Sequence, residues 1–226
     1  IKALGLIGDQ RALAVIRRYL SSGVSILRAE AMLALARISK GSAVPLLKSL
    51  LSKKGERVKL EAIDALGETG SKNAAALLEK FLQEAEGKVR RRVIRALGRI
   101  DGARVEQLLF SMLSKGGETD KADALLALVE GSREQAADYL PQIIEASRSN
   151  SPMLRSASCL ALSELHKEEA LERLEDMRAG DEDERVREIA RLCLMRSRGL
   201  DLLLYDLRNF SVSPQGSLLT GRIANE

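Results

Sequence analysis

The sequence predicts an all-α chain: an α-solenoid of about six stacked antiparallel helix pairs with a short non-helical C-terminal tail. Three observations carry this reading. The first is a recurring step. Ala-Leu stands at Ala3-Leu4, Ala34-Leu35, Ala65-Leu66, Ala96-Leu97, Ala127-Leu128 and Ala161-Leu162, and Cys193-Leu194 closes the series. The leucines are 31, 31, 31, 31, 34 and 32 residues apart, and a fixed period of that size marks a tandem array of supersecondary units. The second is the pattern inside each unit. Between Lys88 and Ile100, the residues Val89, Val93, Ala96, Leu97 and Ile100 fall on one helical face. The third is composition: aromatics are 3%, Trp is absent and Pro is 4 of 226, as in helices packed through small and aliphatic side chains. Stability in such an array is a sum of local interfaces.

Taken in order, the chain opens inside a pattern. Residues 1–7 read as the last half of a second helix, which predicts a segment of a longer protein with at least one repeat upstream. Repeat units are expected at about 10–39, 40–70, 71–101, 102–131, 132–166 and 167–198, making a solenoid over 1–198. Their helices are expected over 11–20 and 26–38, 44–51 and 57–68, then 74–84 and the Arg-rich stretch. Pro45 fits the first turn of its helix, where the missing N–H is not needed. Repeat four departs from the pattern. Asp120 takes the first apolar position of its second helix, and Gly131 takes the last, held elsewhere by Ile38, Ile100 and Leu165. Tolerated drift with a longer loop, or a hinge between repeats four and five, both fit. Repeats five (136–146, 153–165) and six (168–177, 185–195) recover the pattern. The acids Asp181 to Glu184 precede a helix, where they cap it and meet its dipole; a metal loop would need converging oxygens and a turn-making Gly. A short capping helix is expected over 199–208. Residues 209–226 then read as two strand-like runs around a Ser-Pro-Gln-Gly turn, either a tail or the start of a following strand-containing domain.

Ala3-Leu4-Gly5 with Ile7-Gly8-Asp9, Ala65-Leu66-Gly67, and the Asp-Glu-Asp-Glu-Arg-Val-Arg run ending at Arg187 resemble HEAT repeats, and most of all the short HEAT-like kind named after phycobilisome lyases. The resemblance covers residues 1 to about 198. It implies a right-handed solenoid whose second helices line the concave side. It is nearly silent on function, because such repeats serve scaffolds, lyase-type chromophore chaperones, a hydroxylase and DNA glycosylases alike.

Catalytic chemistry has no visible carrier. The single His, His166, sits at a helix end. The hydroxylase of this architecture takes iron ligands from several His-Glu pairs, and the glycosylases hold their lesion with Trp and other aromatics; neither set is present. No zinc or di-iron set can be assembled with one His, so no metal, no cofactor and no enzymatic activity are expected. Cys159 and Cys193 lie among leucines and read as buried small hydrophobes. Two such cysteines make no disulfide framework, which points to a reducing, cytoplasmic setting. No apolar run approaches the roughly 20 residues of a membrane-spanning helix.

Charge is the informative remainder. Residues 1–113 hold 21 Lys/Arg against 11 Asp/Glu, net +10, and residues 114–226 hold 15 against 21, net −6. Two repeated columns read as structural. Arg28, Lys59, Arg90, Lys121, Arg155 and Arg187 recur six residues before the Ala (or Cys193) of each step, and Arg37, Glu68, Arg99 and Glu130 alternate in sign at one position. Each exposed pair in such a ladder contributes only about 0–1 kcal/mol. Repeat three carries an excess beyond the ladder: Lys88, Arg90, Arg91, Arg92, Arg95, Arg99 and Arg104 against Asp101 alone. Arg92 reverses the sign of Glu30, Glu61 and Asp123 at its position. The excess is either a solvated basic face or an electropositive patch on the inner surface, centred on Arg92, Arg95 and Arg99, with Arg91, Arg90 and Lys59 beside it.

The sequence therefore points first to a non-catalytic protein–protein interaction scaffold that holds an acidic partner segment through paired Arg–carboxylate contacts. Nucleic-acid binding through phosphates is the second reading, opposed by the acidic second half and the shortage of stacking aromatics. A chromophore chaperone is the third, by resemblance alone. Head-to-tail self-association through the oppositely charged ends is a further possibility.

Overall fold

The structure, a computed structural model, describes residues 1–52, 55–131, 136–197, 210–212 and 218–220. The chain divides into two compact units, Ile1–Ala136 and Ala137–Glu226, and the division falls in the one 34-residue step.

The first unit contains α1 (Lys2–Ile7), α2 (Leu13–Arg18), α3 (Ser25–Ser39), α4 (Val44–Leu51), α5 (Glu56–Glu68), α6 (Lys72–Leu82), α7 (Gly87–Gly98), α8 (Ala103–Lys115) and α9 (Glu118–Gly131). Short 3₁₀ turns lead into α2 and α4. The second helices α1, α3, α5, α7 and α9 pack side by side in sequence order, and α2, α4, α6 and α8 each pack on the second helix of their own pair. This two-layer stack follows from the repeat. Leu35, Leu66, Leu97 and Leu128 are buried between the layers, with Met32, Ile63, Val93, Ile94 and Leu125 around them. Pro45 lies in the first turn of α4 as expected.

The Gly that follows Ala-Leu has a physical reason. A methyl group on Gly67 would stand 2.7 Å from the carbonyl oxygen of Ala96, and one on Gly5 would stand 2.7 Å from the Ala34 Cβ. One on Gly98 would strike the Ala127 carbonyl. Each second helix thus presses its Gly on the Ala of the next. A helical Gly costs about 0.5–1 kcal/mol relative to Ala, and the close approach explains why it is kept.

Repeat four is corrected on both of its irregular residues. Gly131 is no lost anchor: its Cα faces the Gly98 carbonyl so closely that any side chain there would collide. Asp120 is no drifted apolar position. It accepts a forked pair from Arg90, Nε at 2.9 Å and Nη2 at 2.7 Å.

That fork is one rung of a ladder. Arg28 donates Nη1 to the Ser22 carbonyl at 2.8 Å and forks onto Glu61 in the next repeat at 2.6 and 2.8 Å. Arg90 repeats the arrangement with the Leu82 carbonyl and Asp120. In each, one nitrogen fixes the turn inside the repeat and the others tie the repeat to its neighbour. Lysine has no fork. Among the described residues, Lys121 meets only Glu118 of its own helix, at 3.3 Å, and the Lys59 amine has no partner.

The second unit contains α10 (Leu140–Ala146), α11 (Pro152–Leu165), α12 (Glu168–Gly180) and α13 (Glu184–Ser197). α10 pairs with α11, α12 pairs with α13, and α11 lies beside α13. Leu162, Leu174, Val186 and Leu194 are buried in this stack. The acidic run caps α13: Asp183 Oδ1 accepts from the backbone N–H of Arg185 at 2.8 Å. Asp181 takes the fork of Arg155 at 2.9 and 2.9 Å, and Arg155 Nη1 donates to the Ser149 carbonyl. In the tail, β1 (Phe210–Val212) and β2 (Leu218–Thr220) pair antiparallel, Phe210 opposite Thr220 and Val212 opposite Leu218. The capping helix expected over 199–208 lies outside the described residues.

Candidate interaction site

The site is built on α7. Its apolar side, Val93, Ala96 and Leu97, is buried, as is Ile100 just past its end, which leaves Arg91 and the C-cap Arg99 exposed and Arg92 and Arg95 half-buried on another side. Neighbouring helices supply two carboxylates to these four guanidinium groups. From α5, Asp64 meets Arg92 Nη1 at 3.2 Å and Arg99 Nη1 at 3.5 Å. From α9, Asp123 meets Arg91 Nε at 3.2 Å. The acids are the deeper layer. Their side chains are 23% and 8% exposed, against 53%, 43% and 37% for Arg91, Arg92 and Arg99.

Burial pushes both carboxyls up. For Asp64 desolvation outweighs the charges and hydrogen bonds of Arg92 and Arg99. For Asp123 desolvation outweighs Arg91 and the charge of Arg95. Arg95 contributes only through that field. Its Nε is buried without a hydrogen-bond partner. The face therefore carries two positive charges that its own carboxylates leave uncompensated.

The structure gathers the expected residues unequally. Arg91, Arg92, Arg95 and Arg99 share one surface. Arg90 is committed to its rung with Asp120, which holds its guanidinium charged. Lys59 stands on α5 at the Arg90 position of the preceding repeat. Arg104 is drawn off to Glu79 at 2.7 Å. The alternating column is also corrected. Arg37 pairs with Glu68 at 2.6 Å and Arg196 with Glu164 at 2.8 Å, but Arg99 turns to Asp64 rather than continuing the series from Glu68. Sequence reasoning did not single out Asp64 or Asp123 as counter-ions. The available signal was that Asp64 and Arg95, and Arg92 and Asp123, are opposite charges one repeat apart.

Elsewhere, His166 is an exposed helix C-cap in the left-handed region. Cys159 and Cys193 are buried and free; burial, with Cys193 nearby, pushes the Cys159 thiol up to about 12. Among the described residues no group of three or more His, Cys, Asp or Glu is placed to hold a metal ion, and no helix is long and apolar enough to cross a membrane.

A stack of helix pairs with one repeated layer on another is an α-solenoid. The model of HEAT repeats matches residues 23–92, 45–129 and 118–195, so the chain belongs to the HEAT-repeat family. Repeats of this family generally serve as protein-interaction scaffolds. No curated protein matches the chain in sequence. Among solved structures, human deoxyhypusine hydroxylase in complex with glycerol is 20% identical, with 88% of this chain and 77% of that one covered and a TM-score of 0.43. An engineered protein is 18% identical, with 83% and 96% covered and a TM-score of 0.38.

Proposed function

We propose that this protein is a non-catalytic interaction scaffold that holds an acidic segment of a protein partner on the α7 face. One observation carries the reading: Arg91, Arg92 and Arg99 are each more exposed than the carboxylate they meet, the buried Asp123 or the half-buried Asp64, and Arg95 stands half-buried among them. Arginine suits this role because its planar fork matches carboxylate geometry and remains charged. Arg95, Arg92 and Arg99 are the central contacts, Arg91 flanks them, and Arg90 and Lys59 lie at the margin. The buried free thiols of Cys159 and Cys193 support a cytoplasmic setting.

The test is fluorescence anisotropy of an acidic Glu-rich peptide, with a mixed DNA and RNA pool in parallel, across a salt series. The expected result is peptide binding that persists at about 0.1 M salt, where exposed charges are screened beyond roughly 10 Å. Arg92→Gln, Arg95→Gln and Arg99→Gln together abolish it. Steeply salt-dependent capture of nucleic acid with no peptide binding would replace this reading with a phosphate-backbone one.

A further inference from the structure

We propose that the α7 face selects a phosphomonoester dianion, carried as a phosphorylated Ser or Thr in the partner segment, over the carboxylate of Glu or Asp. The inference rests on the acidic-segment reading and narrows it.

Charge is the first argument. Among the described residues, Arg91, Arg92 and Arg99 meet Asp64 and Asp123 and Arg95 meets no acid, so the four arginines exceed the carboxylates they contact by two charges. Of the other acids on the flanking helices, Glu61 is paired with Arg28, Glu68 with Arg37, Asp120 with Arg90 and Glu118 with Lys121, while Glu56 and Glu130, at the two ends, meet none of the four arginines among the described residues. A carboxylate ligand neutralises one of the two surplus charges. A phosphorylated side chain, carrying about −1.5 to −2 near neutral pH, neutralises both.

Donor supply is the second. A guanidinium group has five N–H donors. Arg92 and Arg99 give Asp64 one nitrogen each, Arg91 gives Asp123 its Nε, and Arg95 gives a hydrogen bond to nothing among the described residues. Most donors of the four groups thus have no acceptor among the described residues. Three phosphoryl oxygens use more of them than two carboxylate oxygens.

Layering is the third. Asp64 and Asp123 sit below the guanidinium groups, so an incoming anion adds over the arginines without having to displace either acid. The two acids hold Arg91, Arg92 and Arg99 at a spacing set by the α5–α7–α9 stack, which lowers the entropy lost when a ligand gathers them.

The experiment uses the whole chain and labelled short peptides identical except for one central residue: phosphoserine, Glu or Ser. The phosphoserine peptide is expected to bind about tenfold or more tighter than the Glu peptide, and the Ser peptide weakest. Arg95→Gln, which orphans no acceptor, is expected to reduce that preference to about twofold or less with an unchanged unfolding midpoint. Equal binding of the Glu and phosphoserine peptides overturns the dianion site and leaves the acidic-segment reading standing. Binding of neither overturns both. An oligonucleotide of equal charge that outcompetes the phosphoserine peptide overturns it in favour of nucleic acid.

Discussion

Arg155 with Asp181, and Arg92 and Arg99 with Asp64, are arginine–aspartate contacts between successive elements of the stack, yet they are built for opposite ends. Arg155 and Asp181 are 7% and 6% exposed and meet in a two-bond fork at 2.9 Å. Burial would raise Asp181, but the bonds from Arg155 and the Asp183 N–H and the charges of Arg155 and Arg173 hold it below the usual carboxylate range. Asp64 is shared by two arginines through single, longer contacts, and there burial wins. A closed fork spends its arginine on the fold. A shared acid leaves the arginines available, and the difference shows that arginine content alone does not locate a binding surface.

The comparison can be broken first at the buried fork. Arg155→Met leaves the buried Asp181 without its arginine and is expected to cost about 3–5 kcal/mol by urea unfolding followed by circular dichroism. An unchanged midpoint would mean the fork is ornamental. A smaller effect is expected at the close approach between helices. Gly98→Ala drives a methyl group into the Ala127 carbonyl, with an expected loss of about 1–3 kcal/mol despite the better helix propensity of Ala. At the open cluster, Arg99→Ala is expected to change stability by only about 0–1 kcal/mol while weakening capture of an acidic peptide.

The pH dependence sharpens the same contrast. Asp181 is lowered in the folded state, so its stabilisation is present above its unfolded pKa and is lost as pH falls through the folded value. Asp64 and Asp123 are raised, so their contribution is full below the unfolded pKa, about 3.9, and is lost as pH rises through the folded values. Asp181→Asn should therefore destabilise at neutral pH and matter little in acid. Asp64→Asn should leave neutral-pH stability unchanged or slightly higher, and flatten the fall in stability just above the ordinary carboxylate range. Urea midpoints across that range decide it, and a sharp loss in Asp64→Asn at neutral pH would show a closed pair after all.

The fold was legible because its signal is repeated. The Leu35, Leu66, Leu97 and Leu128 series is buried as its period requires, and the Arg28–Arg90–Arg155 column forms the rungs its recurrence suggested. The site was legible only in its cations. The column that alternates in sign points to pairing at equivalent positions of neighbouring repeats, whereas Asp64 and Asp123 reach α7 from positions offset from the arginines they meet, each from a different neighbour. Gly131 was misread for a related reason. Set against Ile38 and Ile100 it is an absent side chain, and only the approach of the Gly98 carbonyl shows that an absent side chain is what the position requires.

The rungs also bear on whether this chain is modular. Removing residues 71–101 would delete one full period and leave the apolar pattern in register, with Gly67 meeting Ala127 as Gly98 now does. It would nevertheless bring Lys59 against Asp120 in place of the Arg90 fork, and it would remove Arg91, Arg92, Arg95 and Arg99 from above Asp64 and Asp123. Asp64 and Asp123 would remain with no arginine and Asp120 with a single amine. The units are interchangeable in length and hydrophobicity but not in neighbours: the order of the repeats is fixed by whose acid answers whose arginine.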